Sequence, residues 1–233
     1  MAPTKGARTR EQIAELAAPL FNQRGYSGVS IADVMDATGL QTGGIYRHFE
    51  NKEELAVGAF DHAVDVMAAR FQAALAQAPR MPHFRLLAVI SVYADLPQNP
   101  PVPGGCPVLN AAVDNDDGNP ALRKRARVAV QSLERLIVSL LERGQEDGDY
   151  LDATNTKEMA SVIVASVEGA VAVARLAPQS EVMKHVVAHL RSWLESQLSA
   201  EGKRRLRRVE REAKKGSHAG HAHASEPFAA LDR

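Results

Sequence analysis

The chain has 233 residues, 28 acidic and 28 basic residues, and 45% apolar residues, of which few are aromatic. This length and apolar content suffice for one large or two modest domains with real cores, and the zero net charge means that any nucleic-acid-binding surface must be local. The single cysteine excludes an intrachain disulfide, and the charged N-terminus lacks the apolar segment of a signal peptide. We therefore expect a cytoplasmic protein.

Positive charge is concentrated at two places. The N-terminal arm carries Lys5, Arg8 and Arg10 before its first acid, and the stretch 201–216 has eight basic and three acidic residues, a net charge of +5 (8 − 3). The most apolar run, residues 159–174, is interrupted by Glu168 and is too short to cross a bilayer. We therefore expect no membrane partner.

The first third of the chain predicts four helices, because apolar residues recur at helical spacing and capping residues mark the ends. Ser30 with Asp33, and Asn51 with Glu54, are capping-box patterns that open the second and fourth helices, and Gly39 supplies a tight turn after the second. The predicted helices cover about 8–24, 30–38, 42–48 and 52–78. A helix pair joined by such a turn is the helix-turn-helix arrangement that places its second helix in the major groove of DNA.

Five more helices follow, separated by proline- and glycine-rich segments such as residues 97–105. Their predicted ranges are about 83–96, 106–113, 120–147, 155–176 and 181–198. Strand-like alternation of useful length does not occur in the sequence. The pattern predicts an all-α fold of about nine helices.

The run GLQTGGIYRHFENKEEL, residues 39–55, resembles the TetR family of bacterial transcription regulators, and the likeness covers about residues 8–60. The resemblance implies an N-terminal three-helix, helix-turn-helix DNA-binding domain at 1–55, including the basic arm. It also implies a larger C-terminal helical effector and dimerisation domain at 56–200. We expect the remainder, 201–233, to be a basic and then histidine-containing tail that is disordered. Its basic part could instead extend the last helix as a solvated face, or touch DNA or an anionic membrane. Family members mostly repress, and an effector releases the homodimer from a palindromic double-stranded operator.

The DNA contacts that this resemblance and the residue chemistry predict fall on the arm, on the second helix and around the third. They are Lys5, Arg8, Ser30, Gln41, Thr42, Gly43, Gly44, Tyr46, Arg47, His48 and Lys52. Gln41 and Gly44 depart from the Ser or Thr that many relatives carry, which leaves base contacts there open. Ile45 and Phe49 are expected in the core. Phosphate contacts supply affinity and base contacts supply sequence choice.

The effector is expected to be small and mostly apolar, held among the fourth to eighth helices. Residues predicted to line its pocket are Met67, Phe71, Phe84, Tyr93, Cys106, Val108, Leu109, Leu133 and Val167. The last two helices resemble the family's dimer-forming pair. Small residues there favour close approach, either between subunits or within the chain: Ala160, Ala165, Gly169, Ala170 and Ala174.

Three alternatives remain at this point. Gly105-Cys106 resembles a branch of the family in which a cysteine senses electrophiles or oxidants, against the simpler interpretation of Cys106 as a small buried residue. The second alternative is a DNA-binding protein without small-molecule control. The sequence also leaves open whether the protein represses or activates transcription. An enzyme is the third class, but we find no nucleophile-base pair, phosphate loop or metal-ligand spacing. We expect no cofactor and no metal, since neither the aspartates at 114–117 nor His218, His221 and His223 form a convincing site.

Overall fold

The structure, a computed structural model, describes residues 4–114 and 119–219, and in these ranges the fold is all-α, as predicted. Ten helices are described: α1 (Lys5–Arg24), α2 (Ile31–Thr38), α3 (Thr42–Tyr46), α4 (Lys52–Gln77), α5 (Pro82–Asp95), α6 (Pro107–Asp114), α7 (Pro120–Glu146), α8 (Thr156–Leu176), α9 (Val182–Ser196) and α10 (Ala200–Ala219). Residues 115–118 of the predicted aspartate-rich loop and the tail from residue 220, with His221 and His223, lie outside the described residues, as does the side chain of His218.

The predicted N-terminal arm is helical. The Thr4 side chain accepts a hydrogen bond from the Ala7 amide (3.2 Å) and so caps α1, which places Lys5 and Arg8 in the first turns of this helix. Pro19 lies inside α1 without ending it. The cap at Thr4 was missed because no acidic or amide residue follows three positions later to complete a capping box.

The expectation of a disordered tail is wrong for residues 200–219, which form α10. Ser199 caps this helix, because its hydroxyl oxygen accepts a hydrogen bond from the Gly202 amide (2.9 Å). The side of the helix that carries Leu206 is buried, so the thin apolar stripe in this sequence still packs against the chain.

The described residues form two compact units. The first draws on Met1–Ala69 and Gln98–Gln131, and the second on Arg70–Pro97 and Ser132–Arg233. The first unit therefore contains α1 to α3 together with α6 and parts of α4 and α7. The predicted domain boundary at residue 55 stays a prediction.

The core of the first unit joins α1, α2, α3 and α4 through small and branched side chains. Its buried members are Ile13, Ala14, Ala17, Ala18, Val29, Val34, Ile45, Phe49, Leu55, Ala59, Ala63 and Val102. Ile45 and Phe49 are 0% and 1% exposed, which confirms their prediction as core residues. Their burial anchors the inner side of α3 in this core, so the opposite side of the helix faces solvent.

The second unit packs α5, α8 and α9 against one another. Its most buried apolar side chains include Leu86, Ile90, Ile163, Val167, Leu190 and Leu194. By length and composition, α8 alone among the described helices is apolar enough to cross a membrane. It is a core helix of this unit instead, because Ile163, Val167 and the carboxylate-bearing Glu168 are buried against its neighbours.

Candidate nucleic-acid interface

Local hydrogen bonds define the start of α2, and Gly39 forms the turn between α2 and α3. The Asp33 amide donates to Ser30 Oγ (3.1 Å) and Asp33 Oδ2 accepts from the Ser30 amide (2.7 Å), which confirms the predicted capping box. Hydrogen bonds from the Ser30 side chain and backbone, with help from Arg24, hold the pKa of Asp33 at about 2. Gly39 ends α2 with φ 69° and ψ 9°, a left-handed conformation that glycine adopts without strain.

The outward face of α3 carries most of the predicted base and phosphate contacts. Five of them are exposed: Gln41, Thr42, Gly43, Tyr46 and Arg47. Tyr46 is 41% exposed although it is a large aromatic residue, and its neighbours Ile45 and Phe49 are buried. A solvent-facing tyrosine beside an arginine on the second helix of such a pair has both a hydroxyl and a guanidinium for phosphates or base edges.

The two glycines of α3 are not required by packing. A Cβ added to Gly43 would meet no atom within 4 Å, and one added to Gly44 would make an ordinary contact with the Leu40 side chain at 3.5 Å. Folding alone would therefore accept alanine at both positions. Glycine at these two positions would allow the α3 backbone to approach a binding partner more closely than a residue with a side chain would.

The remaining predicted contacts lie around α3. Lys5 and Arg8 are exposed on α1, while His48 and Lys52 are half-buried. The Lys52 ammonium lies 4.5 Å from the centroid of the Tyr26 ring, a cation–π contact. The Ser30 hydroxyl donates to Asp33 Oδ2 (2.6 Å), so capping already uses this group.

Arg10 is a site residue that sequence reasoning did not assign. Its Nη2 lies 2.9 Å from Glu54 Oε1, its Nη1 donates to the His48 carbonyl oxygen, and its guanidinium lies 4.1 Å from the centroid of the Phe49 ring. One side chain of α1 thereby holds the end of α3 and the start of α4. No local spacing signals this role, because its partners lie 38 and 44 positions away.

The end of α1 is tied to α6 by two asparagine side chains. Asn110 Nδ2 donates to the Asn22 carbonyl oxygen (3.0 Å), to Asn22 Oδ1 (2.9 Å) and to the Gly104 carbonyl oxygen (2.8 Å). Asn22 Nδ2 in turn lies within hydrogen-bond distance of three carbonyl oxygens, those of Val102, Pro103 and Gly105. These bonds connect α6 directly to α1, which carries Arg10 and contributes to the core of the first unit.

A second contact supports the same connection. The Tyr26 amide donates to Asp114 Oδ2 (2.8 Å), and Gly25, with φ 70°, lies so close to this carboxylate that an added Cβ would come within 2.6 Å of Oδ1. A cavity of about 40 Å³ lies among α1, α4 and α6 beside these residues. This volume suffices for a few water molecules and lies far below the roughly 300–1,000 Å³ of pockets that bind organic ligands, so it does not fit an organic effector.

The predicted effector-contacting residues are divided between the two units. Met67, Cys106, Val108 and Leu109 belong to the first, and Val108 packs against the cluster of Ala56, Phe60, Leu122 and Ala126. The second unit holds the others, Phe71, Phe84, Tyr93, Leu133 and Val167. Their assignment to one pocket stays a prediction.

Cys106 immediately precedes α6 and is 1% exposed. A redox-sensing cysteine needs a thiolate within reach of the oxidant. The burial of this side chain favours the simpler interpretation, a small core residue.

Tyr93, a predicted effector contact, forms a buried polar pair with Glu168 inside the second unit and lies beside Phe71, a second predicted contact. The Tyr93 hydroxyl donates to Glu168 Oε1 (3.1 Å), and the Phe71 and Tyr93 rings are 5.7 Å apart at their centroids. Both Tyr93 and Glu168 are buried. Glu168 is therefore a functional candidate, which the sequence signals by placing a carboxylate inside an apolar run.

The small residues of α8 divide between the interior and the surface. Ala160, Ala170 and Ala174 are buried within the chain, while Ala165 and Gly169 are exposed. The exposed pair lies on a stripe with three large apolar residues, Val162, Val173 and Leu176, of which Leu176 is 86% exposed. Positions 162, 165, 169, 173 and 176 follow the spacing of one helix face. This face is apolar and available to a partner.

Comparisons with known proteins agree with this architecture. Residues 13–59 match the family model "Bacterial regulatory proteins, tetR family", and residues 82–190 match "Tetracyclin repressor-like, C-terminal domain". The chain is 29% identical over 160 residues to the HTH-type transcriptional repressor ComR of Escherichia coli K12, covering 66% of this chain and 75% of that one.

Two solved structures of TetR-family regulators are similar along nearly their whole length. The one from Chloroflexus aurantiacus is 39% identical with a TM-score of 0.79, covering 83% of this chain and 98% of that chain. The one from Cytophaga hutchinsonii is 31% identical with a TM-score of 0.78, covering 86% and 99%. The two family models match the helix-turn-helix and the C-terminal helices in the order in which this chain presents them. The chain therefore belongs to the TetR family of DNA-binding transcription regulators.

Proposed function

We propose that this protein is a homodimeric repressor that binds a palindromic operator through α3 and leaves it when a small effector binds. The proposal rests on the exposed side chains at and around α3, namely Gln41, Thr42, Tyr46 and Arg47. The buried Ile45 and Phe49 anchor the inner side of this helix in the core. The name of the ComR relative supports repression rather than activation. A soluble, cytoplasmic regulator that carries out no catalysis fits the same proposal.

The dimer would form through the exposed apolar stripe of α8. A stripe with Ala165 and Gly169 at its centre lets two helices approach closely, and burying Val173 and Leu176 removes apolar surface from water. A symmetric dimer presents two copies of α3, which requires two half-sites about 34 Å apart or a multiple of that distance. The replacement Ala165→Arg should yield monomers in analytical ultracentrifugation, with Lys157→Arg on the same helix as a control.

The effector would be small and mostly apolar, with Tyr93 and Glu168 as the polar pair of its site. Its signal would reach DNA through α6, because Asn110 ties this helix to α1. The replacement Asn110→Ala should therefore weaken the response of operator binding to effector.

The first experiment is selection of bound sequences from a random pool of duplex DNA. It is run at one salt concentration with the parent protein, with Tyr46→Ala and Lys52→Ala, and with Lys157→Ala as a control for removal of an exposed lysine. We expect the parent and the control to enrich the same palindromic sequence and the two α3-region variants to lose it. The recovered operator then serves in a screen for effectors that release the protein.

Two outcomes contradict the proposal. Enrichment of no sequence by the parent would exclude sequence-specific regulation, and equal binding by all four proteins would exclude α3 as the DNA-reading helix. Since Lys52 also contacts the Tyr26 ring, the fold of Lys52→Ala is verified by circular dichroism before binding is compared.

A further inference from the structure

The last described helix, α10, carries a continuous basic stripe. Six basic residues stand three positions apart or in adjacent pairs, and at 3.6 residues per turn they fall within about one third of the helix circumference. They are Arg204, Arg207, Arg208, Arg211, Lys214 and Lys215, and all of them are exposed. At 1.5 Å per residue the stripe extends over about 16 Å.

Over the first two turns of α10, the opposite face is held by the second unit. A Cβ added to Gly202 would come within 2.1 Å of the Asp149 carbonyl oxygen, so only glycine permits this approach. Leu206, one turn further along, is 8% exposed. The basic stripe is thereby directed away from the body of the unit.

Further bonds fix the start of the helix. Arg205 Nη1 lies 2.7 Å from Oδ1 of Asp149, whose side chain is fully buried. The Ser199 amide donates to the Asp149 carbonyl oxygen (2.9 Å), and the Ser199 hydroxyl donates to the Gly148 carbonyl oxygen (2.7 Å). Tyr150 and Leu198 form an antiparallel bridge beside them. The stripe is therefore mounted on a positioned helix.

This element lies outside what the family model describes, since that match ends at residue 190. Because this protein belongs to a family of DNA-binding regulators, duplex DNA is the polyanion that this basic surface would meet. Arginine, which supplies four of the six residues, matches phosphate geometry with its planar fork of donors. A membrane surface fits less well, because an interfacial helix needs a large free apolar face. Leu206 is buried, and only the half-buried Val209 and the small, exposed Ala213 follow it on that side.

We propose that α10 is a second DNA-binding surface, which contacts the phosphate backbone of duplex DNA without sequence preference. It adds affinity and salt dependence to the protein, while α3 supplies sequence choice. Glu201 already engages Arg204, whose Nε lies 3.0 Å from its carboxylate, so we expect Arg204 to contribute little to phosphate binding.

The test removes four charges from the stripe with Arg207→Gln, Arg208→Gln, Arg211→Gln and Lys215→Gln. Glutamine removes the charge while keeping a polar, unbranched side chain with a similar helix propensity. The charge-matched control carries Gln at four exposed basic positions elsewhere in the second unit: Arg80, Arg135, Arg143 and Lys157. Circular dichroism verifies that both proteins keep their helix content.

Fluorescence anisotropy then measures binding to a random-sequence duplex over a series of salt concentrations. Each phosphate contact contributes about 0.9 to the slope of log K against log salt, so the stripe variant should lose up to about 3.6 from this slope per protomer. The control should keep the slope of the parent. The stripe variant and its control are then each combined with Tyr46→Ala and Lys52→Ala, which separates the contribution of α10 to DNA binding from that of α3. We expect the stripe to account for the random-duplex binding that remains in this background.

Equal slopes for the stripe variant and the control overturn the proposal. It is also overturned if the stripe variant binds DNA as the control does but loses binding to vesicles of phosphatidylglycerol, which would assign α10 to a membrane surface. Loss of the random-duplex slope with retention of the selected operator sequence supports it, because sequence choice then resides in α3 alone.

Discussion

The burial of His83 predicts that this protein loses stability in mild acid. The side chain, in the first turn of α5, is fully buried, and its Nδ1 lies 3.1 Å from the Tyr150 hydroxyl. Its Nε2 is also buried and has no hydrogen-bond partner in the described part of the chain. Burial, with a smaller contribution from the positive charge of Arg191, lowers the pKa of His83 from 6.5 to about 4.

The sign and size of the effect follow from this pKa. As the pH falls below about 6.5, the unfolded chain binds a proton at His83 while the folded chain does not, so the free energy of unfolding decreases until the pH reaches about 4. Within this window each pH unit costs about 1.4 kcal/mol. Between about pH 7.5 and about pH 5.5 the loss is therefore about 1.3 kcal/mol, a sizeable part of a total that is typically 5–15 kcal/mol.

The assay is urea unfolding followed by circular dichroism at these two pH values and one protein concentration, for the parent and for His83→Gln. Glutamine does not titrate, and its amide can still bond to the Tyr150 hydroxyl. The variant will be less stable at both pH values, but the parent should lose about 1.3 kcal/mol more than the variant on acidification. An equal loss in the two proteins would refute the reasoning, since groups other than His83 would then account for the whole pH dependence.

Three further predictions concern the α1–α6 connection, the backbone of α3 and the thiol. Gly104→Ala should cost about 2 kcal/mol or more in chemical unfolding, because φ is 120° and the new Cβ would lie 2.7 Å from the Asn22 carbonyl oxygen. Gly43→Ala, where the space is open, should leave stability equal or higher but weaken operator binding, and equal stability losses in the two alanine variants would contradict the geometry. Cys106→Ser should retain operator binding, and peroxide should leave both parent and variant bound. Release of the parent alone by peroxide would restore the thiol-sensor hypothesis.

The elements of this fold were predictable where a few neighbouring residues determine them. The pair Ser30 and Asp33 predicts the start of α2, and Asn155 predicts the start of α8. The spacing of Ile45 and Phe49 predicts which side of α3 faces the core. These signals are local because a capping hydrogen bond reaches three residues and a helix turn repeats every 3.6. The resemblance to the TetR family added the role of the outward face.

The sequence by itself therefore determined nine of the ten described helices, most of their caps and the surface that we propose meets DNA. The tertiary structure decided which side chains connect them. Arg10 bonds to Glu54 across 44 positions, and Asn110 bonds to Asn22 across 88, so neither pairing leaves a periodic trace. It also buried Cys106 and fixed α10, because burial and docking depend on which surfaces pack together after the helices form.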